Sequence, residues 1–272
     1  MRRSKDPHVN TPSSPPKTNG AQAATGTEPL PPPLFYKRPL PLSAQYHASV
    51  KIRPVMDFTF AAETNAVPVA VPEFVMAARH YPIIFIGDDL VPSVALGLRP
   101  NDNLFVDVKG AWEVGQYIPA YVRRYPFILL GEQGDERLQL GIDDEARSNK
   151  EDALPLFQDG KETDVVREAI GLCEQFHAAY RFSLDCMKAI KAADIIESRS
   201  LEVTLPDGEK LNVGNFLAVN EEKFKAVPDA TILDWRAKGW LHAVYFHLQS
   251  LNNWDSLLAR NAFRMSGAAA VR

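Results

Sequence analysis

Hydrophobic and polar positions divide the chain into stretches of distinct period. The longest helical pattern runs from about Thr163 to Ala192, where Val166, Ile170, Cys173, Phe176, Tyr180, Leu184 and Met187 recur every three or four residues. That spacing predicts one long amphipathic helix whose apolar stripe is core. Thr163 stands where a cap is needed, and Asp164 and Glu168 suit the positive end of the helix. A second helical pattern runs from about Trp240 to Ala262, with Leu241, Val244, Tyr245, Leu248, Leu251 and Leu258 on one face. Between the two, Leu201, Val203 and Leu205 alternate with polar residues. Pro206, Asp207, Gly208 and Glu209 read as a turn, and Lys210 to Val213 return as the second arm of a hairpin. Phe216 to Val219 predict a further strand. Asn220 caps a short helix, and Asp229 caps another that stops at Gly239.

In the first half, two segments resemble each other. Glu73 to Gly87 and Ile118 to Gly131 each read as a short helical stretch, a basic-aromatic-Pro triplet, four apolar residues and a glycine. Proline disfavours helix at the residue before it, so Tyr81 and Tyr125 end their helices. The apolar runs 83–86 and 127–130 predict buried strands. Leu104 to Val108 predict another, ending at Lys109 and Gly110. Arg137 to Ile142 alternate and predict a strand paired with 127–130 across the turn 131–135. Residues 143–162 read as loop, anchored by Leu154, Leu156 and Phe157.

Residues 1–33 hold eight of the 21 prolines among Ser, Thr, Asn, Gly and Ala. Such a stretch buries too little apolar surface to offset its ordering entropy. It reads as a disordered tail, a passive extension rather than a polyproline ligand. The expected organisation is therefore a tail at 1–33, a single domain at 34–263 and a frayed C-terminus at 264–272. The expected fold class is α+β: a mixed or antiparallel sheet from the strands of 83–142 and 201–219, packed by long C-terminal helices.

Composition narrows the function classes. Of 272 residues, 46% are hydrophobic and 24% charged, with a formal net charge of −4. That balance argues against a protein held to nucleic acid or anionic lipid by global charge. No apolar stretch approaches the roughly 20 residues of a membrane span. No apolar region follows Met1-Arg2-Arg3, so the location reads as cytoplasmic. Cys173 and Cys186 fall in one helix, about 20 Å apart along its axis, and read as buried apolar side chains.

The residue patterns name no reaction. Phosphate-binding glycine loops, zinc-binding helix motifs and a nucleophile elbow are all missing from the sequence. His242 and His247, five apart, fall on different helix faces and imply no metal. Arg123 and Arg124 stand among Tyr117, Tyr121 and Tyr125, where an arginine clamps an anion, stacks a ring or braces the fold through a carboxylate. Adjacent arginines point to different sides of a helix, so at most one is expected to face a given site. Asp88-Asp89 and Asp143-Asp144-Glu145 follow strands and read as solvated turns.

Several stretches together resemble the bacterial SapC family. They include residues 41–47, 78–85 and 103–107, the specific Tyr117-Ile118-Pro119-Ala120-Tyr121-Val122-Arg123-Arg124-Tyr125-Pro126-Phe127, and then 142–143, 156–160 and 219–223 through 250–251. The resemblance covers about residues 34–260. It implies a non-enzymatic accessory protein, associated with an envelope or surface layer and acting on a protein partner. It brings no catalytic residues and no cofactor. A peptide-transport permease subunit of the same name is excluded for want of spanning helices. The matched positions that would mark a site are His47, Glu73, His80, Arg123, Arg124 and Asp143. Imidazole is the side chain that titrates near neutral pH, and the arginines are anion binders. The alternative function is a cytoplasmic enzyme or small-ligand binder with Arg123 or Arg124 and His80 or His47 in one Arg/His/Tyr-lined pocket. A buried polar network that fixes the packing is the plainer account of the six residues.

Overall fold

A computed structural model describes residues 33–53, 57–131, 138–204 and 210–270. The expected Pro-rich tail, apart from Pro33, lies outside the described residues, as do 132–135 and 206–209 of the two expected turns.

Strand β1 (Pro39–Pro41) leads to helix α1 (Ala44–His47), capped by the Ser43 hydroxyl accepting from the Gln45 amide. Strands β2 (Lys51–Ile52) and β3 (Ala66–Pro68) come before helix α2 (Phe74–Ala77). The strands β4 (Ile83–Ile86) and β5 (Val91–Ala95) follow it. Helix α3 (Ala120–Arg123) then precedes β6 (Phe127–Leu130) and β7 (Gln139–Asp143). Thus both expected helix-to-strand units form, each with its strand starting just after the proline. Short pieces β8 (Leu154–Pro155), β9 (Phe157–Gln158) and β10 (Lys161–Glu162) lead into α4 (Asp164–Ala192). The hairpin is β11 (Ile196–Thr204) with β12 (Lys210–Val219), and α5 (Glu221–Lys225), α6 (Asp229–Ala237), α7 (Leu241–Ser250) and α8 (Asn253–Ala270) complete the chain.

The fold is α+β with antiparallel sheets. Strands group into a five-stranded sheet, in order β11-β12-β4-β5-β3, and a three-stranded sheet, in order β1-β7-β6. The second pairs Phe127 with Ile142 and Leu130 with Gln139, as the alternation at 137–142 predicts. In the first, β12 reaches back across the chain and sets Leu217 opposite Phe85.

Each sheet carries its own apolar core. The larger one joins β4 and β5 to α2, α7, α8 and the C-terminal part of α4, with Tyr81, Phe85, Leu96, Ile190 and Leu257 buried. The smaller one joins β6 and β7 to the N-terminal part of α4 through Phe127, Ile142, Leu156, Val166 and Cys173. Helix α4, about 43 Å long at 1.5 Å per residue, serves both. Its stripe supplies Val166 and Cys173 to one core and Cys186, Met187 and Ile190 to the other. Both cysteines are buried, and burial pushes their thiols up, Cys173 to about 11 and Cys186 to about 12.

Several expectations need correction. Residues 104–108 form no strand. Val106 makes only an isolated bridge to Trp112, while Asn103 turns the chain by accepting from the Phe105 amide at 2.9 Å. Apolar content there reflects burial of Leu104 and Phe105, not sheet pairing. Phe216 to Val219 extend β12 instead of forming a separate strand. The last helix is two helices, broken after Ser250, and the second runs on to Ala270 past the expected end near Phe263. Tyr180 and Tyr245 are exposed rather than core. Pro228, not Asp229, takes the N-cap position of α6. The Thr163 hydroxyl does not cap α4 but donates to the Pro155 and Leu156 carbonyls at 2.8 and 3.1 Å.

Helix α7 completes the larger sheet with side chains. The Val219 amide donates to His247 Nε2 at 3.0 Å, and the Ile83 amide donates to Ser250 Oγ at 2.9 Å. His247 is fully buried and stacks on Phe85 with ring centroids 4.6 Å apart. Burial holds its pKa down at about 3, so it is neutral and free to accept. Unfolding returns it toward about 6.5. Between these values the unfolded chain takes up a proton that the folded chain refuses, so stability falls as pH drops below about 6.5. Denaturant unfolding at pH 7 and pH 5 is expected to show an extra loss of about 2 kcal/mol in the native chain relative to His247→Asn. Equal pH slopes in the two would contradict a buried neutral histidine.

Candidate functional site

The site is built on the stretch between two prolines. Pro119 holds extended backbone (ψ 143°) at the start of α3, and Pro126 ends the helical run at Tyr125, so α3 is a single turn. Tyr121 and Val122 face inward, which leaves Arg123 and Arg124 at the mouth.

One carboxylate fixes that turn. Glu73 Oε1 accepts from the Tyr117 hydroxyl and the Ala120 amide, both at 2.7 Å, and Oε2 accepts from the Ala70 amide at 2.9 Å. Burial, reinforced by Glu73 and opposed by Arg123, pushes the Tyr117 hydroxyl up to about 12, so it stays a donor. Arg123 is exposed. Its Nε donates to the Ile118 carbonyl at 2.9 Å, and Nη2 lies 3.4 Å from the Tyr117 hydroxyl. His80 lies on the same side, with Nδ1 3.0 Å from Gln116 Oε1.

A second carboxylate, Asp143, is fully buried. Oδ1 accepts from the Arg38 amide at 2.9 Å; Oδ2 accepts from the Lys37 amide at 3.1 Å and the Tyr125 hydroxyl at 3.2 Å. Asp144 beside it is also buried, paired with Arg38 and Arg147. That acidic turn is an internal tie rather than the solvated loop expected from sequence.

Arg124 differs from every cation above. Its guanidinium carbon lies 4.3 Å from the Tyr121 ring centroid, 4.4 Å from Phe176 and 5.7 Å from Tyr36. The Nε is buried without a hydrogen-bond partner, and no carboxylate pairs with the group among the described residues. Burial raises the pKa of the Tyr36 and Tyr121 hydroxyls, with Arg124 opposing, so both phenols are neutral. Ring faces therefore hold this cation, at about 0.5–2 kcal/mol each, and no ion pair neutralises it among the described residues.

A pocket of about 290 Å³ opens at this point, between the end of α3 and the first turns of α4. Arg53, Arg123 and Arg124 border it, against Val165, Glu168 and Leu172 of α4. Both adjacent arginines border one pocket, against expectation, because the helix ends at Arg123 and the cavity wraps that end. Arg53 is already engaged by Asp152, 2.8 Å away. Wider grooves of about 650 and 730 Å³ flank α6, but their lysines are paired internally, Lys223 with Asp194 and Lys238 with Asp234. Those lysines are paired, and Arg124 has no such ion pair among the described residues.

Of the six residues singled out from sequence, Arg123 and Arg124 border the pocket. Glu73 joins Arg123 through Tyr117, and Asp143 approaches Arg124 through Tyr125. His80 and His47 do not line it. His47 is buried at the end of α1, its Nδ1 beside the Ser43 carbonyl at 3.1 Å. Sequence reading missed Tyr36, Phe176 and the α4 wall. The signal for the wall was present: Val165, Glu168 and Leu172 are spaced three and four apart on one face beside the apolar stripe.

The SapC family model matches residues 42–257. The chain belongs to the SapC family. No curated protein and no solved structure matches it. The SapC match takes in α3, the pocket wall on α4 and both carboxylates, whereas Tyr36 lies just outside it. Among the described residues, no helix of this SapC chain is long and apolar enough to cross a membrane.

Asp143 gives a direct check on the tie-down role. In Asp143→Asn, any orientation of the amide turns an N–H toward donors, leaving at least one buried group unsatisfied. Urea unfolding is expected to show a loss of about 2–3 kcal/mol, against about 0.5 kcal/mol or less for the exposed Arg123→Gln. A neutral Asp143→Asn would remove the carboxylate from its assigned place.

Proposed function

We propose that this SapC-family chain is a non-enzymatic binding protein that holds a small anionic ligand at the Arg123–Arg124 pocket. The observation that carries this is the partly buried Arg124 guanidinium, enclosed by rings and without an ion-pair partner among the described residues. A cation removed from water without a counter-charge is costly, and an anion entering the pocket recovers that cost. Binding rather than catalysis follows from how the carboxylates are used. Glu73 and Asp143, the two carboxylates among the six residues singled out from sequence, are spent on main-chain amides and tyrosine hydroxyls. Such groups hold backbone in place, and taking up a substrate proton would cost them those bonds.

A second reading, an envelope or surface-layer accessory acting on a protein partner, draws support from one surface. Val108 (101% exposed) and Val114 (96%) project from the 104–116 loop. Phe263 (80%) projects from α8, whose Arg264 and Arg260 hold that loop through the Val106 carbonyl and Glu113. Bare apolar groups on neighbouring elements are what a protein contact uses. Protease treatment of intact cells, followed by antibody, decides it: digestion supports a surface role, and a protected cytosolic pool rejects it.

Thermal unfolding at low ionic strength, with acetate, octanoate and inorganic phosphate as probes, tests the pocket. At least one probe is expected to raise the midpoint saturably in the native chain and not in Arg124→Gln, by about 2.7 kcal/mol of stabilisation at a hundredfold excess over Kd. Equal shifts in both proteins, or none with any probe, would reject an anion site at Arg124.

A further inference from the structure

We infer that the ligand is an amphipathic monocarboxylate, a single carboxylate on an apolar body of about medium-chain length. The inference rests on the anion-binding reading above and narrows it by charge, shape and lining.

Charge sets the valence. Three guanidinium groups border the cavity. Arg53 is held by Asp152, and Glu168 stands on the opposite wall. Three positive charges against two negative ones leave one for a ligand to balance. A dianion would place its second charge against Glu168, where like charges repel. A monoanion meets Arg123 and Arg124 without that cost.

Shape sets the head group. The Tyr121 and Phe176 rings, set at 69° to each other, hold the Arg124 guanidinium carbon at 4.3 and 4.4 Å, so its N–H groups are the polar surface it can offer a ligand. A guanidinium edge presents parallel N–H groups that match the two oxygens of a planar carboxylate.

Lining sets the body. Away from the arginines the cavity is walled by Phe127 and Leu154 on one side and by Val165, Ala169 and Leu172 of α4 on the other. Apart from Glu168, these walls are apolar and offer little to hydrogen-bond a sugar or a nucleobase. The volume of about 290 Å³ lies at the small end of ligand cavities and excludes a full lipid or a nucleotide. An apolar body of medium length fills it, and each methylene taken from water strengthens binding about fourfold.

Isothermal titration of the full chain with acetate, octanoate and inorganic phosphate provides the test. Octanoate is expected to bind at least a hundredfold more tightly than acetate, and phosphate more weakly than octanoate. Leu172→Asn is expected to cut octanoate affinity about tenfold while acetate affinity stays within twofold. Glu168→Gln is expected to improve phosphate binding severalfold. Arg124→Gln abolishes octanoate binding; if that variant fails to fold, Arg123→Gln, at an exposed position, is expected to weaken it about tenfold. Phosphate binding as tightly as octanoate, with Arg124→Gln abolishing both, would overturn the monocarboxylate and leave an anion site standing. Octanoate no tighter than acetate would overturn the apolar body. Octanoate binding unchanged in both arginine variants would overturn the site itself, and with it the reading on which this rests.

Discussion

Asp143 surrenders all of its water, and the cost is recovered only while its donors stay where they are. Its partners come from two distant parts of the chain: the amides of Lys37 and Arg38, and the hydroxyl of Tyr125. Each is thereby immobilised. Tyr125 stacks on Phe60 at 4.2 Å and meets the edge of Tyr36 at 5.4 Å. Tyr36 in turn donates to the Phe127 carbonyl at 2.5 Å and offers its ring to Arg124. A buried charge more than 100 residues from the first of its partners thus decides where an aromatic cage stands. Glu73 does the same from the other side, through Tyr117 and Ala120. The arginines are displayed on a turn that two carboxylates hold rigid, which is the arrangement a preorganised binding site needs.

Helix α4 gives the site its location. Its two ends belong to different cores, and between them Phe176 forms a small cluster with Ala120 and Tyr121. Protein interiors are close-packed, so the space between two cores must be filled as well. Here the seam is filled by rings with a cation among them, and a cavity is left at its edge. The pocket and the fold are therefore not separable properties. The same helix face that closes the smaller core presents Val165 and Leu172 one step around the helix.

Local chemistry made much of this legible in the sequence. Proline at 82 and 126 marks where helix gives way to strand because the steric rule acts on the adjacent residue alone. The stripe on α4 reports burial directly, and the alternation at 139–142 marks a strand although residues 140–143 are all buried. What escaped depends on distant partners. Residues 104–108 look like a strand because they are apolar, yet Asn103 and Arg264 take up their polar groups and leave little for sheet pairing. The break after Ser250 was signalled by Asn252 and Asn253, but Leu251 and Leu258 continued the apolar pattern across it. Asn253 uses its amide on the carbonyls of Ala78 and Tyr81, a contact no local pattern announces. The six candidate residues came from separate stretches of the chain, and only Arg123 and Arg124 from the specific motif. Roles within them were unreadable because Glu73 and Asp143 act on backbone amides, which carry no sequence signature.

The order of strands in the larger sheet has a consequence for synthesis. β4 and β5 emerge from the ribosome as a hairpin, but the other edge of β4 is closed by β12, and the Ile83 amide finds its acceptor on Ser250, 167 positions later. Arg264 closes the 102–106 loop after a similar delay. Until then the nascent chain presents Ile83, Ile84 and Phe85 on an open strand edge, the kind of surface that recruits other chains. At typical translation rates that exposure lasts on the order of ten seconds or more. Growth of this chain is thus a race between its own C-terminal third and its neighbours on the polysome.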